Sequence, residues 1–382
     1  MQAVAPLSEV RDIVKEEGGE IAKLCYQCGL CSAVCPWNLV RSFIVRRLMH
    51  ETQLGLVDFE GEDMWLCATC RACVQRCPRS VEVIDVMRAL RRVTTEVGAG
   101  KVPDSLRIAI KNIAAVGNPL GEPQEKRADW AKDLDVKTYA KGTEILYFPG
   151  CIPAYDPKVQ RVAQATAKIL KKAEVDFGIL GAEINCCGES ARKAGNESLF
   201  QNLRQNNINA FLEAGVEKII TTSPHCYDTF KKEYPESGGN FEVMHFAQFL
   251  AELLREGRLK LTKELNKRVA YHDPCYLGRH NDIYDEPREV LESIPGLELV
   301  ELPNSGDDSL CCGGGGGRIW METKKGERLS DLRLDQALEA GVEILAIACP
   351  YCMVNLEDSV LSSNKEDVIE IRDIAELVQE AI

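Results

Sequence analysis

Two hydrophobic rhythms divide the chain. In Val40–Glu51, apolar residues fall at Val40, Phe43, Ile44 and Leu48, a spacing that turns one helical face toward a core. Val81–Val97 has the same period, and Asp104–Ala115 predicts one further short helix. Beyond residue 142 short apolar runs take over. Ile145–Phe148, Lys218–Thr221, Phe241–His245, Arg268–His272, Glu343–Ala348 and Val368–Ile371 predict strands. Pro157–Lys172, Asn196–Ala214, Leu329–Ala340, a segment near Cys352 and the C-terminal stretch predict helices between and after them. Strands alternating with helices favour parallel sheets covered on both faces. The predicted organisation is α+β overall: a helical domain over 1–97, a linker over 98–142 punctuated by Gly98, Gly100, Pro103, Gly117, Pro119, Gly121 and Pro123, and two α/β (Rossmann-like) lobes over 143–262 and 263–382.

The lobes are an internal repeat. Cys151 recurs as Cys275, an offset of 124, and Cys186-Cys187-Gly188 as Cys311-Cys312-Gly313, an offset of 125. Thr-Thr-Ser-Pro-His-Cys226 recurs as Ile-Ala-Cys-Pro-Tyr-Cys352, an offset of 126. The repeat breaks at one informative place: Ser223 stands where Cys349 stands.

Composition narrows the function. The 382 residues carry 46 Lys and Arg against 59 Asp and Glu, a formal charge of −13 that argues against nucleic acid and against a polybasic membrane surface. Residues 1–98 hold 12 basic and 13 acidic side chains, so the excess negative charge sits in the rest of the chain. There is no basic segment followed by an apolar stretch at the N-terminus and no run of about 18 apolar residues, so neither a signal peptide nor a membrane span is expected. The 17 Cys, an odd number in a long chain, fit reduced thiols in a cytoplasmic protein doing metal or redox chemistry better than a disulfide framework. Any attachment to a membrane would then be peripheral, through a partner subunit.

Cys25, Cys28, Cys31 and Cys35-Pro36 are spaced C-x2-C-x2-C-x3-C-P, and Cys67, Cys70, Cys73 and Cys77-Pro78 repeat the run. This is the two-cluster bacterial ferredoxin pattern: three thiolates of each tight loop hold one cube, and the fourth cysteine reaches the other. One [4Fe–4S] cluster is therefore expected on Cys25, Cys28, Cys31 and Cys77, and a second on Cys67, Cys70, Cys73 and Cys35. Zinc sites need neither the third cysteine nor the proline, twice over. The 31 residues between Cys35 and Cys67 suggest a helical ferredoxin of the kind found in respiratory reductases. Arg71, Arg76 and Arg79 crowd the second motif, where they either raise its potential or form a solvated basic face.

In the second half, Cys275, Cys311-Cys312 with Gly313–Gly317, and Cys349-Pro-Tyr-Cys352 resemble the cysteine-rich CCG domain of heterodisulfide reductases. YHDPCYLGRH, SPHCYDTFKKEYP and ACPYCM are similar to the same family. The ferredoxin block resembles the C-type subunit of those enzymes and the two lobes their B-type subunit, so nearly the whole chain is similar to the fused form, the D-type subunit. It is also similar to that form's relatives among glycerol-3-phosphate, glycolate and lactate oxidoreductases and sulfite-reduction membrane complexes. The resemblance implies that the complete motif, Cys275, Cys311, Cys312, Cys349 and Cys352, holds a noncubane [4Fe–4S] cluster and carries the disulfide chemistry. The first lobe offers only Cys151, Cys186, Cys187 and Cys226; a [4Fe–4S] cube, a zinc ion and a relic of duplication all remain open there. The glycine run would let backbone approach a cluster closely, and no Lys-Ser/Thr follows it to make a phosphate loop. His225, His245 and His272 either serve a substrate thiolate or a cluster, or are structural.

The expected function is an iron–sulfur oxidoreductase subunit. Electrons from a flavoprotein or another partner, such as a membrane cytochrome or quinone-reactive subunit of a larger redox complex, would cross two cubes to the C-terminal CCG site for disulfide or thiol chemistry; that site would split or form an S–S bond or hand electrons to a carrier. A disulfide takes two electrons while each cube passes one; a cluster binding both halves would bridge that mismatch without releasing a thiyl radical. The alternatives are a non-catalytic relay between a flavoprotein dehydrogenase and a quinone or cytochrome partner, and a zinc scaffold.

Overall fold

A computed structural model describes residues 5–382. Each lobe is a four-stranded, all-parallel sheet. In the first the order is β2-β1-β3-β4, with β1 Ile145–Phe148, β2 Phe177–Gly178, β3 Lys218–Thr221 and β4 Glu242–His245. In the second it is β6-β5-β7-β8, with β5 Arg268–Tyr271, β6 Glu298–Val300, β7 Ile344–Ile347 and β8 Glu370–Asp373. The orders are the same once the repeat is applied. The central strands read ILYF and ILAI and are buried throughout, as a parallel sheet covered on both faces requires.

The lobes pack reciprocally. The helix after β1, Gln160–Lys172, lies against the terminal helix of the second lobe, Ile374–Ala381. Its counterpart after β5, Asp285–Glu292, lies against the helix that ends the first lobe, Phe246–Arg255. One apolar core runs through both lobes, from Ile145 and Tyr147 to Tyr271 and Ile344.

The N-terminal block is a set of short helices around Trp37, Met64, Trp65 and Leu90, all buried. The helix predicted from Val40 begins only at Val45. Asn38 holds the preceding turn open, its amide donating to the Ser32 and Phe43 carbonyls (2.7 and 3.0 Å) while its oxygen accepts from the Phe43 N–H (2.9 Å). The 98–142 segment is packed rather than free: its helix Asp104–Val116 buries Leu106, Ile110 and Ile113, and the Gly117 carbonyl accepts a 2.7 Å hydrogen bond from the Cys186 N–H. Among the described residues no helix is long and apolar enough to cross a membrane.

Candidate metal centres

Sheet topology brings the lobe cysteines together. In a 2-1-3-4 order the chain leaves adjacent strands β1 and β3 in opposite directions, and a crevice opens at their carboxyl ends. Cys151 follows β1 and Cys226 follows β3; Cys275 and Cys352 stand at the matching ends of β5 and β7. Cys186-Cys187 and Cys311-Cys312 enter from the loops after β2 and β6.

In the second lobe the five thiols form a continuous chain. Cys352 Sγ donates to Cys312 Sγ at 3.2 Å. Cys311 adjoins Cys275 and Cys312, and Cys349 adjoins Cys352. Burial alone would raise the Cys349 thiol, but hydrogen bonds from Cys352 and His225 outweigh it and hold it down at about 6. His225 belongs to the first lobe. Its Nδ1 donates to Glu189 Oε1 at 3.2 Å, and its ring lies between Tyr276 and Tyr351, with centroids 3.9 and 4.3 Å away. Burial would lower its pKa, yet the Glu189 carboxylate and Cys349 raise it to about 10. His272, at the end of β5, lies fully buried beside Cys312 and Cys352. His245 is structural: Nδ1 caps the helix Phe246–Arg255 by accepting from the Ala247 N–H (3.2 Å), Nε2 pairs with the Thr222 carbonyl (3.1 Å), and burial lowers it to about 4.

In the first lobe Cys151, Cys186, Cys187 and Cys226 line one small internal cavity with Ser223 and His225. Ser223 does not take up the missing thiol's place as a donor. It N-caps the helix Pro224–Asp228, its Oγ accepting from the Cys226 N–H at 3.4 Å. The buried Arg127, from the 98–142 segment, donates to Cys151 Sγ at 3.7 Å.

The two ferredoxin loops share a backbone signature. Gln27 and Gly29 in the first, and Thr69 and Arg71 in the second, have φ of 67°, 88°, 50° and 65°. Three of the four carry side chains, so this strain is retained to curl each loop. Cys35, Cys67, Cys70 and Cys73 line one cavity under Trp37 and Phe43, so Cys35 lies with the three cysteines of the other motif. Cys31 has Cys25 and Cys28 as neighbours, and Cys28 and Cys77 flank Tyr26. Cys28 is exposed, whereas burial and the neighbouring thiols push Cys73 well above the usual range. All 17 cysteines are free. Each set holds a thiol that burial and its neighbours raise, Cys31, Cys73, Cys151 and Cys311, and thiols so crowded cannot all ionise together without a cation, which fits each set to a soft metal centre.

The ferredoxin block meets the second lobe at its chemistry. The Cys70 thiol adjoins that of Cys311. The buried Arg279 donates from Nε to the Cys70 carbonyl (2.7 Å) and from Nη1 to the Ser309 carbonyl (2.7 Å). Arg91, also buried, donates to the carbonyls of Met64, Cys67, Lys193 and Gly316 at 2.7–3.1 Å, tying the block to both lobes. The glycine run serves this docking. A Cβ on Gly315 would lie 2.3 Å from the Ala68 carbonyl oxygen, and one on Gly316 2.4 Å from that of Cys67. The expected close approach is thus to the backbone of the second cysteine loop. Arg71 and Arg76 are neutralised by Glu82 and Asp308, which leaves Arg79 as the exposed cation of that trio. Arg91, Arg127, Arg279 and Glu189 carry no signal in the sequence; an arginine's burial is set by elements far along the chain.

Comparison with known proteins agrees with this layout. The cysteine-rich domain model (CCG) matches residues 145–231 and 269–357, and the 4Fe–4S dicluster domain model matches 20–81. The chain is 39% identical to the probable iron–sulfur-binding oxidoreductase FadF of Bacillus subtilis, covering 84% of this chain and 47% of that one. It is 38% identical to the EtfAB:quinone oxidoreductase of Syntrophomonas wolfei, covering 86% and 48%. It therefore spans about half the length of these relatives. Against the D-type subunit of the dihydromethanophenazine:CoB–CoM heterodisulfide reductase of Methanosarcina mazei it is 31% identical over 94% of this chain and 93% of that one.

Proposed function

The chain belongs to the family of the D-type subunit of heterodisulfide reductase, and on that footing we propose that it is an iron–sulfur oxidoreductase subunit whose second CCG lobe carries disulfide or thiol chemistry. When bound, [4Fe–4S] clusters on Cys25, Cys28, Cys31 and Cys77, on Cys67, Cys70, Cys73 and Cys35, and a noncubane cluster on Cys275, Cys311, Cys312, Cys349 and Cys352 supply one-electron transfer and a thiophilic iron. Cys28 brings the outer set to the surface, where a redox partner can reach it. Cys35 commits the first loop to the inner set. Arg279 and Arg91 fix the inner loop against the second lobe. His225, oriented by Glu189, holds a proton at Nδ1 and faces Cys349 across the interface between the lobes. The first lobe's four thiolates hold a separate centre, and elemental analysis decides between iron and zinc there. The protein works in the cytoplasm, soluble or held peripherally by a partner subunit.

One observation carries this reading: Cys70 of the inner ferredoxin set adjoins Cys311 of the complete CCG motif. The experiment is electron paramagnetic resonance of the reduced full chain, with iron and acid-labile sulfide measured, before and after adding oxidised glutathione as a probe disulfide. A new signal that needs Cys349 and Cys311 is expected. The second reading, a relay between a flavoprotein and a quinone or cytochrome, is favoured by the name of the Syntrophomonas wolfei relative, an EtfAB:quinone oxidoreductase. It requires reoxidation by a soluble quinone with no disulfide-dependent signal. The crossed fourth ligands have their own test: Cys77→Ala should damage the cluster on Cys25, Cys28 and Cys31, and loss of the Cys67 cluster alone would refute the assignment.

A further inference from the structure

Every polar group buried in a protein interior ordinarily finds a partner. His272 finds only thiols. Its side chain is fully buried, and among the described residues neither Nδ1 nor Nε2 has an oxygen or nitrogen partner; what the ring faces is the Cys312 thiol, with Cys352 beside it. The ring sits at the carboxyl end of β5, one residue beyond Tyr271, where the sheet delivers the second lobe's thiols. One of its nitrogens and the sulfurs of Cys312 and Cys352 all lie within 4.8 Å of one another. Neutral imidazole and thiolate are both good donors for iron. The first lobe has Phe148 at this position of the repeat, equally buried and with no donor atom.

We infer that His272 is a nitrogen ligand of the second-lobe iron–sulfur centre, giving that centre a mixed sulfur and nitrogen donor set that the first lobe lacks. The inference rests on the cluster proposed above for Cys275, Cys311, Cys312, Cys349 and Cys352. Two other roles for this imidazole fit less well. A core histidine normally bonds a backbone carbonyl, as His245 does with Thr222. A proton relay needs a chain of partners leading away from the site, and beyond the thiols of Cys312 and Cys352 His272 has none among the described residues. Nitrogen in place of a further sulfur lowers the negative charge delivered to iron, and histidine ligation raises iron–sulfur potentials in the Rieske case. The nitrogen would therefore make the second-lobe centre easier to reduce than an all-cysteine one.

The test uses the full chain, grown with 15N-histidine and reduced, read by pulsed electron paramagnetic resonance. A strong 15N hyperfine coupling of a directly bound nitrogen is expected, absent in His272→Phe, which copies the first lobe. His272→Cys guards against loss of folding: it should keep iron and sulfide content, lose the nitrogen coupling, and lower the midpoint potential of the second-lobe centre. Iron in the second lobe with no strong histidine coupling, or an unchanged potential in His272→Cys, overturns the ligand assignment and leaves the proposed function standing. A second lobe without iron overturns both.

Discussion

Phe148 and His272 occupy the same place in the two lobes, and so do Ser223 and Cys349. One strand order and one crevice hold two different donor sets. The segments after the paired cysteines diverge as well. In the first lobe Glu189–Lys193 forms a helical turn, and Ser190 and Glu189 from it reach the interface between the lobes. In the second lobe the corresponding residues are Gly314–Gly317 and Arg318, and Gly315 and Gly316 lie flat against the ferredoxin loop. The lobe with the richer donor set is the one that meets Cys70. The first lobe instead lends His225 to its neighbour and keeps Arg127 beside its own Cys151. Duplication supplied two crevices, and they differ in donor set and in which of them adjoins Cys70 of the ferredoxin block.

The largest expected effect comes from breaking the second-lobe thiol set that adjoins Cys70. Cys311→Ala, and separately Cys349→Ala, should lower disulfide-linked electron transfer at least about 100-fold while both ferredoxin signals survive. The matching first-lobe change, Cys186→Ala, should leave those signals intact and reduce transfer far less. Stopped-flow reoxidation with oxidised glutathione reads all three. Full activity in Cys349→Ala with none in Cys226→Ala would move the reaction to the first lobe.

The next effect exchanges the two segments residue for residue. Gly316 has φ +62°, and its Cβ would lie 2.4 Å from the Cys67 carbonyl oxygen, so Gly316→Ala should cost about 1–3 kcal/mol and slow transfer between the inner ferredoxin set and the second lobe. Ala191→Gly, at the equivalent place in the first lobe's helical turn, should cost about 1 kcal/mol and leave transfer at the parental rate. Thermal melts give the stabilities. Equal slowing in both variants would mean that the glycine run has no special part in docking.

How much of this asymmetry is legible in the sequence depends on what kind of signal carries it. Ser223 against Cys349 is visible in the repeat, because cysteine spacing is local and rigid. Six strands announce themselves by short apolar runs, but β2 and β6 do not: at two and three residues on sheet edges they are too short to show a period. The glycine run is legible as a close approach, and its target is not, since Ala68 lies in another domain, more than half the chain away. Periodicity alone starts the helix at Val40 instead of Val45, because a single side chain, Asn38, holds the turn before it. His225 stands in a recognisable motif, yet its pairing with Glu189 and its reach to Cys349 depend on how the two lobes face each other.

The smallest effect tests whether the first lobe's missing thiol matters. Ser223 Oγ accepts from the Cys226 N–H at 3.4 Å, a long capping bond. Ser223→Ala should therefore cost only about 0.5–1 kcal/mol. Ser223→Cys replaces the hydroxyl by a weaker acceptor, so the cap is lost to a similar degree. It also puts a fifth thiol into the cavity lined by Cys151, Cys186, Cys187 and Cys226. The donor set then matches the second lobe in sulfur, while Phe148 still withholds nitrogen. The first-lobe centre should change its spectroscopic signature, and disulfide-linked transfer should stay at the parental rate, because the ferredoxin block still meets Cys311 and not this cavity. A rise in transfer in Ser223→Cys would mean that five thiols suffice to make a lobe reactive, and that proximity to Cys70 does not decide between them.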